Sequence, residues 1–200
     1  MKTADYWEQA RRADEYVANM QQKREPFLEN MARTEITPED RLRFGAQPLR
    51  VLTFTEEWCN DSVQFLAALI KLAHEVPSVE VRILERDRYR EVADRYPRKD
   101  GYHAIPIFVL FDAEMRELGA LVERPARATQ EIAEETRRFQ QAHPELPGIN
   151  RMVDRMPDET RALVKANTAT WRVDKLESWV RYFFEDLAAI VQGARAEQAA

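Results

Sequence analysis

The stretch Leu49-Arg50-Val51-Leu52-Thr53-Phe54-Thr55-Glu56-Glu57-Trp58-Cys59-Asn60-Asp61-Ser62 runs from an apolar segment of strand length into a polar cluster around the chain's single cysteine. Beyond it, Val63, Leu66, Leu69, Ile70 and Ala73 recur at three- and four-residue steps, the spacing that puts one apolar face on a helix. Cys59 therefore falls at a strand-to-helix junction, the place in an open α/β sheet where ligands and chemistry gather. Backbone N–H groups at a helix start lack intrahelical partners, and with the macrodipole they favour a thiolate over a thiol. Glu57 and Asp61 read as acids that complement the same dipole.

Further apolar runs follow at Val79 to Leu84, Ile105 to Phe111 and Leu118 to Val122, each about as long as a strand. Tyr89, Val92, Ala93 and Tyr96 make a short helical face between the second and third runs. Only Asp112 to Glu117 separates the third and fourth, so these two pair as an antiparallel hairpin. A helix from about Thr129 to Ala142 closes a β-α-β-α-β-β-α order, with Ile132 and Phe139 facing inward. Alternating strands and helices imply parallel pairing in the first half and right-handed crossovers. The fold class is α/β, a small mixed sheet of about four strands with helices on both faces.

Residues 1–46 read as a helical extension: a stripe of Trp7, Ala10, Ala13, Val17 and Met20, a helical piece carrying Phe27, Leu28 and Met31, and a short helix opened by Thr37-Pro38-Glu39-Asp40 and stopped near Gly45. The α/β domain occupies residues 47–142. Residues 143–200 form a second helical extension, with Pro144, Pro147 and Gly148 in the connector and a short helix opened by Pro157. Its strong stripe of Leu176, Val180, Phe183, Leu187, Ile190 and Val191 ends near Gly193. That stripe has three uses: packing on the N-terminal helix, covering the sheet, or joining two copies as a homodimer.

The segment Thr55 to Ser62 resembles the active-site segment of the thioredoxin family, in which the first strand runs into Trp-Cys-x-x-Cys at the head of the next helix. Ala104-Ile105-Pro106-Ile107 resembles that family's Ile-Pro, whose peptide bond is cis and faces the cysteine. The nearest likeness is to bacterial thioredoxin-like proteins with Trp-Cys-x-Asp-Cys, which Cys59 and Asp61 follow while Ser62 replaces the second cysteine. The resemblance implies Cys59 and Ser62 as the reacting pair. It makes Trp58, Asn60, Asp61, Ile105 and Pro106 the rim on which a substrate rests. Thr53 stands where thioredoxins carry a buried aspartate that serves the second thiol, so the two losses agree.

Ser62 cannot form an internal disulfide, but its hydroxyl can donate to a Cys59 thiolate. The sequence thus points to a monothiol thiol-disulfide oxidoreductase whose mixed disulfide is resolved by an external protein or small-molecule thiol. The alternatives are a non-catalytic module that binds a protein around Trp58 and Pro106, and a glutathione-transferase-like enzyme. His103 near Pro106 reads as an inert loop histidine, and Tyr102 as a surface aromatic.

The net charge is −5 with 30 basic and 35 acidic residues, and the basic residues are diluted by acids, which argues against nucleic acid and anionic membrane as partners. One cysteine and three scattered histidines supply no thiolate or zinc-type spacing, so neither a metal nor another cofactor is expected. No run approaches the roughly 20 apolar residues that span a bilayer, and the start lacks a secretory pattern, which points to the cytoplasm.

Overall fold

The computed structural model describes residues 1–199. Its sheet has five strands in the order β1-β3-β2-β4-β5: β1 (Arg11–Arg12), β2 (Leu49–Thr55), β3 (Val79–Glu85), β4 (Ile107–Phe111) and β5 (Glu117–Val122). β2 and β3 are parallel, and the other three pairings are antiparallel. The hairpin of β4 and β5 lies where the sequence puts it. One strand does not: Arg11–Arg12 pairs with Ile83 and Arg82 at the edge of the sheet, inside a segment whose sequence reads as wholly helical.

That short strand splits the N-terminal stripe. Before it, a 3₁₀ turn (Thr3–Gln9) lays Trp7 and Ala10 on one face of the sheet, against Leu52, Phe54, Leu84 and Val92. After it, α1 (Ala13–Asn19) sends Tyr16, and Met20 just beyond, to the opposite face. The physical reason is the edge itself. Two arginines satisfy the free backbone of β3 while the chain crosses from one side to the other, and charged residues suit an exposed edge.

Alternation along β2 divides the core in the same way. Leu49 and Val51 face α4 (Ala67–Glu75), while Leu52 and Phe54 face Trp7 and the single turn α5 (Arg90–Ala93). The thicker layer also holds α2 (Arg24–Arg33) and α3 (Pro38–Gly45), whose Thr37 cap accepts from Asp40 N–H as the sequence predicts. α6 (Ala126–Ala142) begins three residues before the sequence-based boundary, directly after Pro125. Its Phe139 packs into a small separate cluster with Ile149, Met156 and Val164 of the connector and α7 (Asp158–Trp171), a longer helix than its sequence suggests.

The last helix, α8 (Leu176–Ala199), lies along the sheet. Its Leu176, Val180, Phe183, Leu187 and Val191 are buried in the chain's own core. The stripe thus covers the sheet. Gly119 of β5 marks the crossing: its φ is +145°, and a Cβ would stand 2.8 Å from Ile190 Cγ2, so only glycine suits the place. No helix among the described residues is long and apolar enough to cross a membrane.

Candidate active site

β2 ends at Thr55, and a turn of Glu56 to Trp58 delivers Cys59 to the head of the helix that leads into α4. Cys59 N–H bonds Glu56 O at 3.1 Å, and Val63 N–H bonds Cys59 O at 3.1 Å. The helix is not regular at this point. Ser62–Leu66 is wound as a π turn, which no sequence periodicity announces and which is frequent at functional sites.

The Ile105–Pro106 peptide bond is cis, as the resemblance implies, and it ends just before β4 rather than inside the strand. Cys59 Sγ donates to Ile105 O at 3.4 Å, so the thiol and the proline loop face each other. Glu123, at φ +69° after β5, donates its N–H to Pro106 O at 2.7 Å and holds the loop from the other side.

The sulfur is less open than its sequence position suggests: Cys59 is only 8% exposed, with the Ile105 carbonyl against its sulfur. Trp58 next to it is 49% exposed, which puts an aromatic side chain at the surface beside the thiol. Tyr16 reaches the same neighbourhood from α1. Burial, reinforced by Glu57 and only partly opposed by Arg11, pushes its phenol well above the ordinary tyrosine value, so it stays neutral.

Ser62 is buried and lies 2.5 Å from Thr55 Oγ1, its hydroxyl engaged with the end of β2. No hydrogen bond joins it to Cys59 among the described residues, so the sequence-based role of donor to the thiolate is not built here. Asn60 is exposed and is touched by Lys23 from the N-terminal segment.

The acids around Cys59 do more than complement a dipole. Glu57 Oε2 accepts the N–H groups of Gln21 and Gln22, both at 2.7 Å, and Glu56 Oε1 accepts Asp87 N–H at 2.8 Å. Asp61, 5% exposed, takes Arg172 Nη2 on one oxygen at 2.6 Å and Arg124 on the other, at 2.7 Å from Nη2 and 3.1 Å from Nε. Gln64 Oε1 accepts from the same Arg172 at 2.8 and 3.2 Å. Sequence reasoning missed Arg124, Arg172 and Gln64. The two arginines stand 63 and 111 residues from Asp61, and ion pairs of such separation leave no local pattern.

His103 is half exposed, with Nδ1 3.5 Å from Asp94 and no hydrogen bond to the thiol. Among the described residues no group of three or more His, Cys, Asp or Glu side chains is placed to hold a metal. Thr53 is fully buried in β2 between Ile83 and Phe108, and its Oγ1 has no hydrogen-bond partner. A buried orphan hydroxyl costs stability, so Thr53→Val, nearly the same shape, is expected to stabilise the fold by about 1 kcal/mol. A rise in the urea midpoint at unchanged m-value checks this, and a fall rejects it.

A five-stranded mixed sheet with one thiol at the head of its first crossover helix, facing a proline loop, defines a thioredoxin-like protein. The thioredoxin family model matches residues 10–137, and the chain belongs to that family. The match includes the edge strand and the whole site up to Arg124. No curated protein sequence matches the chain significantly. Among solved structures, a protein of unknown function from Pseudomonas aeruginosa is 18% identical with a TM-score of 0.61, over 97% of this chain and 99% of that one. An HIV epitope-scaffold is 19% identical with a TM-score of 0.58, over 96% and 99%. At such identities the likeness is one of fold, and it extends over both helical extensions.

Proposed function

We propose that the protein is a monothiol thiol-disulfide oxidoreductase acting through Cys59, in the manner of the Trp-Cys-x-Asp-Cys proteins but with Ser62 at the second position. The observation that carries this reading is Cys59 Sγ at the helix head, against the Ile105 carbonyl and beside the exposed Trp58. A substrate backbone laid along the proline loop would bring its disulfide to that sulfur.

The Cys59 thiolate attacks one sulfur of an external disulfide, the S–S bond breaks, and the departing sulfur leaves as a thiolate. With Ser62 in place of a second thiol, the mixed disulfide waits for an external thiolate. That thiolate attacks the substrate sulfur and returns Cys59 as the leaving group. No net oxidation occurs in the cycle, because one disulfide is exchanged for another. The substrate is a protein or small-molecule disulfide, and the thiol is cytosolic.

Oxidised glutathione added to the intact protein is expected to leave one glutathione adduct by mass, mapped to Cys59 and removed by excess reduced thiol. Cys59→Ser is expected to abolish it. No adduct on the wild-type protein, with the fold intact by circular dichroism, would reject the reading. The burial of the sulfur favours a second one, a non-catalytic module that docks a protein around Trp58 and Pro106. In that case partner binding survives Cys59→Ser and is lost in Trp58→Ala.

A further inference from the structure

We propose that Asp61 is a positioning residue that sets the gap between Cys59 and the proline loop, and that Arg172 makes its setting depend on the docked C-terminal extension. The inference rests on the exchange reading above and adds to it the device that holds the site in shape.

Three contacts, joined by short stretches of backbone, close a ring. Cys59 Sγ meets Ile105 O at 3.4 Å. The next residue, Pro106, has its carbonyl held by Glu123 N–H at 2.7 Å. The residue after Glu123 is Arg124, whose guanidinium grips Asp61 Oδ2 through two nitrogens. Asp61 is two positions along the helix from Cys59, at the entrance to the π turn. The thiol helix and the proline loop are therefore joined twice, once through the sulfur and once through the carboxylate. A ring of short links has little slack, so moving Asp61 changes the sulfur's distance from the loop.

The other carboxylate oxygen belongs to Arg172, in the 3₁₀ turn Arg172–Lys175 that joins α7 to α8. Arg172 also fixes Gln64, one turn further along the helix, and stacks its guanidinium 5.4 Å from the Trp179 ring centroid. Asp61 and both arginines are largely buried, with side-chain exposures of 8%, 18% and 14%. A buried carboxylate between two arginines cannot give up one of them cheaply. When the extension shifts, Asp61 shifts with it. A second ion pair of the extension, Arg127 with Glu185, joins α6 to α8 without touching Asp61, and it supplies the control.

The test compares two reactions of Cys59. The first is exchange with an extended peptide bearing a mixed disulfide to 5-thio-2-nitrobenzoate, which needs the peptide seated in the gap and releases a coloured thiolate. The second is alkylation by iodoacetamide, which needs access to the sulfur alone. Misplacing reacting atoms by an ångström lowers rates steeply, so Arg172→Gln and Asp61→Asn are expected to slow exchange about tenfold or more. Both variants are expected to speed alkylation, because the sulfur loses its close packing. Arg127→Gln is expected to change neither rate, and Arg172→Lys to recover most of the exchange. Opposite movements of the two rates are not produced by simple loosening of the fold.

Equal behaviour of Arg172→Gln and Arg127→Gln, or parallel changes in both reactions, overturns the proposal. Absence of exchange in the wild-type protein overturns the oxidoreductase reading instead. The alkylation arm then still decides on Asp61: rates in Asp61→Asn and Arg172→Gln equal to that of Arg127→Gln reject its positioning role.

Discussion

Trp179→Ala is expected to remove about 4 kcal/mol of stability, the range for deleting a fully buried indole, which is a large share of what a domain has. Trp179, on the inner face of α8, is completely buried. Its ring stacks on Phe65 of the π turn, with centroids 6.5 Å apart at 20°, and meets Trp171 edge-on at 5.7 Å. Its indole N–H donates to Glu131 of α6 at 3.2 Å, and Arg172 lies over the ring. Truncation to alanine opens a cavity and leaves a carboxylate without its indole partner, and the two losses act together. Trp179→Phe keeps most of the apolar contact and is expected to cost about half as much. Urea unfolding followed by circular dichroism measures both, and a loss below about 1.5 kcal/mol for the alanine variant would show that α8 is only lightly attached. For the same reason, a chain ending at Ala142 is expected not to fold stably, because Phe65 and Phe108 lose the aromatic cover of Phe183 and Trp179.

Much of this arrangement can be read from the sequence because it rests on periodic burial. The runs at Leu49 and Ile105 announce β2 and β4 because a strand buried on both faces is apolar nearly throughout. The run at Val79 announces β3 by its alternation of apolar and charged residues, and the run at Leu118 announces the half-buried β5. The stripe from Leu176 to Val191 announces α8, and Thr37-Pro38 announces the start of α3. What the stripe cannot announce is its partner. An apolar helix face fits a sheet, another helix or a second copy equally well, and here the sheet takes it. The strand Arg11–Arg12 escapes because two charged residues at an edge carry no alternation, and because the apolar residues on either side happen to keep helical spacing while serving opposite faces.

The candidate site divides in the same way. The cysteine with its tryptophan and the Ile105-Pro106 pair are each a short motif, and although 46 residues separate Cys59 from Ile105 the two fall together as the resemblance implies. The roles of the acids do not, because their partners lie on other elements: Gln21 and Gln22 for Glu57, Asp87 for Glu56, Arg124 and Arg172 for Asp61. Each acid next to the thiol is a tether to a different part of the chain. The extensions are therefore part of the site's framework, holding Glu57 through Gln21 and Gln22 and Asp61 through Arg172.

A further tether, far from the thiol, yields the second large effect, and it is one that pH can switch. Asp40 of α3 accepts from Thr37 N–H at 2.9 Å and Thr37 Oγ1 at 2.7 Å, and Arg181 of α8 pairs with the same oxygen while also donating to Glu35 O at 2.7 Å. Burial alone pushes the Asp40 carboxyl up, but the hydrogen bonds from Arg181 and Thr37 outweigh it and hold the group below the ordinary aspartate value. A carboxyl lowered by folding binds fewer protons in the native state than in the unfolded one, so its stabilisation is complete above the unfolded value of 3.8. It is lost as pH falls through the lower native value. Asp40→Asn leaves Arg181, itself 31% exposed, beside a neutral amide, and at neutral pH it is expected to cost about 2 kcal/mol, less than a fully buried pair because solvent screens the guanidinium. The difference between the wild-type protein and this variant is expected to shrink on acidification below about pH 4, where the wild-type carboxyl takes up its proton. Urea midpoints measured from pH 7 to pH 3 follow the convergence. A gap that stays constant over that range would mean that Asp40 supports the fold through its shape and cap alone, without its charge.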